Sequence, residues 1–103
     1  MKAGLIQTCT GLDPARNADE LAAAATRLAR QGADTIFTPE MCGLLDRNSE
    51  RLRAAARSEA DDLTLRALRQ VARDEGVSIA IGSLAIALGG EKLANRSFVI
   101  GAD

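Results

Sequence analysis

The sequence predicts an α/β protein. Two short apolar runs, around Ala3-Gly4-Leu5-Ile6 and Thr35-Ile36-Phe37, bracket a stretch with helical spacing of apolar residues. A further helix-like stretch leads into an Ile- and Ala-rich run from Val77 to Leu88. Strands alternating with helices are the pattern of βαβ units.

The elements follow from local chemistry in chain order. Lys2 to Gln7 reads as a first strand, and Cys9 to Arg16 as a loop holding Gly11, Asp13 and Pro14. Asn17 is the expected helix N-cap, with Glu20 placed to bond back to it in a capping box. Leu21, Ala24, Ala25 and Leu28 form one apolar face. Arg27 and Arg30 suit the negative end of the helix dipole, and Gly32 supplies a left-handed stop. Thr35 to Thr38 is the second strand, and a right-handed crossover would set both strands in one sheet. Pro39 has no N–H to give a ladder, so Glu40 begins a loop that runs on through Gly43 to Asn48.

Asn48 or Ser49 is expected to cap a short helix through Arg57, with Leu52, Ala55 and Ala56 facing inward. Asp61 or Asp62 caps the next helix. Its stripe is Leu65, Leu68, Val71 and Ala72, and Gly76 stops it. Val77 to Leu88 is a long strand with a bend expected at Gly82. Gly89-Gly90 reads as a hairpin turn, and Asn95 to Ile100 as the returning strand. The last hairpin is left with an uncovered apolar edge.

Composition narrows the function classes. The 103 residues are one domain or less, 47% apolar and 26% charged, which describes a globular chain rather than a disordered one. Phe37 and Phe98 are the only aromatic residues, and the net charge is −1. Basic residues are interspersed with acids and not interleaved with aromatics, so nucleic acid is not an expected partner. The Arg-rich segment from Arg47 to Arg57 contains Glu50 and reads as a solvated helix face. The apolar start is too short for a signal peptide. The run from Ile79 to Leu88 is broken by Gly82 and Ser83 and cannot span a bilayer. The expected location is cytoplasmic, with no membrane partner.

Cys9 and Cys42 follow no zinc or Cys-x-x-Cys spacing and read as small hydrophobes, reduced in the cytosol. The chain has no histidine. That excludes a Ser-His-Asp or Cys-His mechanism using this chain alone and removes the commonest metal ligand. Gly82, Gly89 and Gly90 form neither a dinucleotide fingerprint nor a P-loop, so no cofactor and no metal are expected.

Glu40 is the candidate catalytic residue. A carboxylate that closely follows a buried strand sits where α/β enzymes keep their chemistry, outside the carboxyl end of the strand. Burial at such a place makes a glutamate a usable general base.

The βαβ unit leading to Thr38-Pro39-Glu40 resembles the carbon–nitrogen hydrolase family, the nitrilase superfamily. Gly76-Val77-Ser78-Ile79-Ala80-Ile81-Gly82-Ser83 looks like that family's strand ending in Gly-Ser or Gly-Gly. Ala94-Asn95-Arg96-Ser97-Phe98-Val99-Ile100 looks like its Asn-led strand, although Gly101-Ala102-Asp103 replaces the usual Asp-Pro-x-Gly. The resemblance covers the whole chain in register. It is carried by the order and spacing of the elements, since no single motif is specific. The loop after Glu40 looks most like the small-amidase branch of omega-amidases and deaminated-glutathione amidases.

The resemblance implies that residues 1–103 are the N-terminal portion of a four-layer αββα sandwich, with the C-terminal part absent. It implies a Glu–Lys–Cys site in the complete protein. The cysteine thiolate forms a covalent acyl-enzyme from a small amide or nitrile, the glutamate is general base, and the lysine stabilises charge on the substrate oxygen. Glu40 takes the glutamate's place, tuned by burial and by the lysine. The family's lysine and cysteine transfer onto no residue here, because both fall past residue 103. Lys2 and Lys92 precede the lysine's position, and Lys92 reads as a solvated charge. A nearby carboxylate would hinder ionisation of Cys42, so Cys42 is not the expected nucleophile. Asn95 could lie near the site or merely bond a neighbouring loop; the structural role is favoured. The chain alone is expected to be inactive, and the complete protein a homo-oligomer. The competing reading is a stand-alone, non-catalytic α/β binding or interaction module. A third is a piece that completes its sandwich by pairing with another chain.

Overall fold

The computed structural model describes residues 1–8, 10–90 and 92–102. The elements run β1 (Ala3–Leu5), α1 (Pro14–Arg30), β2 (Thr35–Thr38), α2 (Ser49–Ala55), α3 (Leu63–Glu75), β3 (Ser78–Gly89) and β4 (Lys92–Ile100). The strands form one sheet in the order β1-β2-β3-β4. The first two pairings are parallel and the hairpin β3–β4 is antiparallel.

One face of the sheet makes the core. Ile36, Ile79 and Ile81 pack there with Leu21 and Ala25 of α1 and with Leu65, Leu68, Val71 and Ala72 of α3. Phe98 and Ile100 of β4 close the margin, opposite Ile81 and Ile79 in the ladder. Gly4 lets α1 come close: a Cβ there would lie 3.0 Å from the Leu28 side chain. The other face carries the aligned row Leu5–Phe37–Ala80–Val99. Leu5 and Val99 on that row are 74% and 83% exposed. Alternation along each strand accounts for the contrast, since neighbouring residues point to opposite faces.

The helix stops fall where the sequence places them. Gly76 is left-handed at the end of α3, with φ 66°, and Gly32 follows α1 with φ 102°. Asn48 caps α2 by accepting from the Arg51 N–H, and Asp62 caps α3 by accepting from the Leu65 N–H.

Helix α1 starts earlier than expected. Asp13, not Asn17, is its N-cap, accepting from the N–H groups of Ala15 and Arg16 at 3.1 and 3.3 Å. Pro14 occupies the first turn, where its missing N–H costs nothing. There is no capping box, because Asn17 lies inside the helix and Glu20 pairs instead with Arg16 one turn back, at 3.1 Å. The first strand is shorter than Lys2–Gln7, although the Ile6 N–H still donates to Phe37 O at 3.0 Å. α2 stops at Ala55 rather than Arg57, because Arg57 leaves the helix to bridge with Ile86 of β3. β4 begins at Lys92, before the expected Asn95, since pairing resumes close to the turn, with Lys92 opposite Gly89. The bend expected at Gly82 is a register shift between Ile81 and Leu84.

Candidate active site

Glu40 lies directly beyond the carboxyl end of β2, in a turn, and is exposed. The burial expected for it is therefore not provided by residues 1–103. What the chain provides is a fixed platform.

Strand β3 grips the segment on both sides of Glu40. The Gly82 N–H donates to Thr38 Oγ1 at 3.2 Å, the Met41 N–H to Ser83 Oγ at 2.9 Å, and the Cys42 N–H to Ser83 O at 3.3 Å. Gly82 is required for this approach. A Cβ there would sit 2.6 Å from the Pro39 carbonyl carbon and 2.7 Å from the carbonyl oxygens of Pro39 and Thr38, all backbone atoms that cannot swing away. Across the hairpin, Ser97 Oγ donates to Gly82 O at 2.6 Å. Met41 has φ 50°, a left-handed conformation that costs a non-glycine residue about 1–3 kcal/mol and persists where surrounding bonds impose it.

Asn17 holds the segment from the other direction. Its side-chain amide donates to Gly43 O at 3.0 Å and to Gly11 O at 2.9 Å, and its oxygen accepts from the Gly11 N–H at 3.1 Å. A buried amide with its bonds made fixes two loops at once. Gly43 is itself tightly seated, since a Cβ would come 2.8 Å from Thr64 Oγ1. Farther along, Arg51 grips Asp46 through two nitrogens at 2.8 and 2.9 Å, which holds the Asp46 carboxyl down at about 2.

Cys42 is 1% exposed, with its sulfur 3.3 Å from Thr38 Oγ1 and 3.9 Å from Ser83 O. Burial pushes its thiol pKa up, outweighing the lowering from its Thr38 contact. An inward-facing, un-ionised thiol is a packing group, as the sequence suggested. Cys9 lies outside the described residues.

The lysines do not join Glu40. Lys2 precedes β1 at the opposite end of the parallel strands and donates through Nζ to Gln31 O at 3.2 Å. Lys92 is exposed and pairs with Gly89, far along β3 from the Ile81 that faces Thr38. Asn95 sits opposite Ala85 on β4 and is exposed. Among the described residues no cluster of three or more His, Cys, Asp or Glu could hold a metal. Among them, too, no helix is long and apolar enough to cross a membrane.

Sequence reasoning places Glu40 past the end of its strand but misses the contacts of Asn17 and Ser83. The bonds that tie them to this segment, Asn17 to Gly43 and Ser83 to Met41, span 26 and 42 residues, so no local pattern signals them.

A mostly parallel α/β sheet with a carboxylate on a clamped loop at a strand's carboxyl end has the layout of α/β folds whose ligand sites lie along that edge. Similarity to known proteins refines the class to a family. The carbon-nitrogen hydrolase family model matches residues 2–103, and the chain belongs to that family. Among solved structures it is similar to an amidase from Nesterenkonia sp., with 31% identity, TM-score 0.79, and coverage of 99% of this chain and 38% of the amidase. A second structure of the Nesterenkonia sp. AN1 amidase gives 31% identity and TM-score 0.80, covering 99% of this chain and 40% of that one. A complex of a cysteine variant of that amidase with butyramide matches at 31% identity and TM-score 0.79, covering 99% and 39%. No curated protein matches. The fold is thus the α/β layer of nitrilase-superfamily amidases, and the chain spans about two fifths of their length.

Proposed function

We propose that residues 1–103 are the N-terminal portion of a carbon–nitrogen hydrolase domain, and that Glu40 is its general base. The observation that carries this is the clamped loop that presents Glu40 at the end of β2, within a chain matched to the family from residue 2 to residue 103. The complete protein then hydrolyses a small amide. Glu40 takes the proton of a cysteine thiol, and the thiolate attacks the carbonyl carbon. A lysine stabilises the oxyanion while ammonia leaves with the proton returned by Glu40. Glu40 next takes a proton from water, which cleaves the thioester to the carboxylic acid. The lysine and cysteine belong to residues beyond these 103, and the complete protein is a homo-oligomer.

The Nesterenkonia amidase supports the substrate class. Its structures include complexes with acrylamide and butyramide. In variants lacking one glutamate, acrylamide or the acetamide moiety of fluoroacetamide is bonded to its active-site cysteine.

The isolated chain lacks the nucleophile and is inactive on amides. Residues 1–103, fused in place of the matching segment of the Nesterenkonia amidase, restore hydrolysis of butyramide, and Glu40→Gln in the fusion abolishes it. Amide hydrolysis by the isolated chain, lost on Glu40→Gln, would overturn this reading and point to Cys42.

A further inference from the structure

Glu40 is exposed, yet the residues on either side of it are tied to the same two positions of β3. Thr38 accepts from Gly82, while Met41 and Cys42 donate to Ser83. Ser83 is 4% exposed, so water does not readily replace its hydroxyl. The Met41 N–H that it accepts belongs to the peptide plane whose carbonyl is that of Glu40. Because that plane is rigid, one bond to Ser83 Oγ fixes ψ of Glu40 and admits the left-handed φ of 50° at Met41. Together these set the backbone frame from which the glutamate side chain leaves the loop.

We propose that Ser83 is a positioning residue for the Glu40 carboxylate, acting through the Met41 amide. This rests on the reading of Glu40 as the base. The backbone bond from Cys42 to Ser83 O does not depend on the hydroxyl, so replacing Ser83 by alanine releases Met41 selectively. A purely structural role for Ser83 would instead weaken the whole sheet together.

Two readouts test this. In the isolated chain, Ser83→Ala speeds hydrogen exchange at the Met41 amide by about five- to tenfold, the factor for losing one hydrogen bond, while Ile36 and Ile79 keep their protection. Ser83→Thr keeps the hydroxyl and the slow exchange. In the fused amidase, Ser83→Ala lowers kcat for butyramide by about tenfold with KM unchanged, as misplacement of a catalytic group does. Unchanged Met41 exchange, acceleration in step with Ile36 and Ile79, or an unchanged kcat overturns the proposal. Full activity of the Glu40→Gln fusion removes the base instead, and the exchange result would still report the clamp.

Discussion

At the scale of single residues, Asp62 shows two demands on one carboxylate. It caps α3 by accepting from the Leu65 N–H at 2.8 Å. It is also half-buried, and burial raises its pKa. The backbone bonds from Leu65 and Thr64 and the charge of Arg57 oppose that shift without cancelling it. The folded state therefore binds the proton more tightly than the unfolded chain. Stability from this group is greatest below its unfolded value near 4 and falls as pH rises through the folded value. Asparagine caps as well as aspartate without the charge. Asp62→Asn is thus expected to match or exceed the wild-type stability at pH 7 in urea unfolding, with the advantage shrinking toward pH 4. Asp62→Ala, which loses the cap, is expected to cost about 1 kcal/mol near pH 4 and less at pH 7, where the wild type has lost the stability linked to the Asp62 proton. An asparagine variant less stable than wild type at pH 7 would show that the charge is net favourable there.

At the scale of elements, two glycines test where backbone freedom and where space matters. Gly76 ends α3 with φ 66°, and a Cβ there meets nothing within 4 Å. Gly76→Ala carries only the left-handed penalty, about 1 kcal/mol. Gly82 is limited by space, with backbone atoms 2.6–2.7 Å from where a Cβ would stand, so alanine must push β3 away from Thr38 and Pro39. Gly82→Ala is expected to destabilise by about 2–3 kcal/mol and to loosen Met41, whose partner Ser83 is next in the strand. Equal costs for the two variants in thermal unfolding would show that β2 and β3 separate freely. The same contrast explains what can be read from the sequence. Gly76, Asp62 and Asn48 act on their own helix ends, so composition near each end places the two N-caps to within one residue and Gly76 outright. Asp13-Pro14 is also a local signal, but the sequence reading leaves it in a loop and takes Asn17 as the cap. The choice turns on Gly11 and Gly43, which only the folded chain brings to Asn17. The position of Glu40 just past β2 is legible, because the apolar run and Pro39 mark the strand's end. Its clamp is not, because Gly82 and Ser83 reach it across the sheet.

At the scale of the molecule, the two faces of the sheet are unequal. The helix side buries Ile36, Ile79 and Ile81 almost completely, whereas Leu5, Phe37 and Val99 line the opposite face in contact with water. Burying a Val or Leu side chain is worth about 1.5–3 kcal/mol, and these residues forgo much of it. In the reading as an N-terminal portion, this face is where the rest of the sandwich packs, and the isolated chain presents it bare. It is then expected to bind an apolar dye such as ANS under native conditions. Leu5→Lys and Val99→Lys together should remove most of that fluorescence. Both side chains are already exposed, so unfolding by urea should stay within about 0.5 kcal/mol of wild type. Cooperative two-state unfolding with no dye binding in the unsubstituted chain would sink the partial-domain reading and favour a stand-alone module. Dye binding that the two lysines leave unchanged would place the apolar surface elsewhere, in a loosened core rather than on the open sheet.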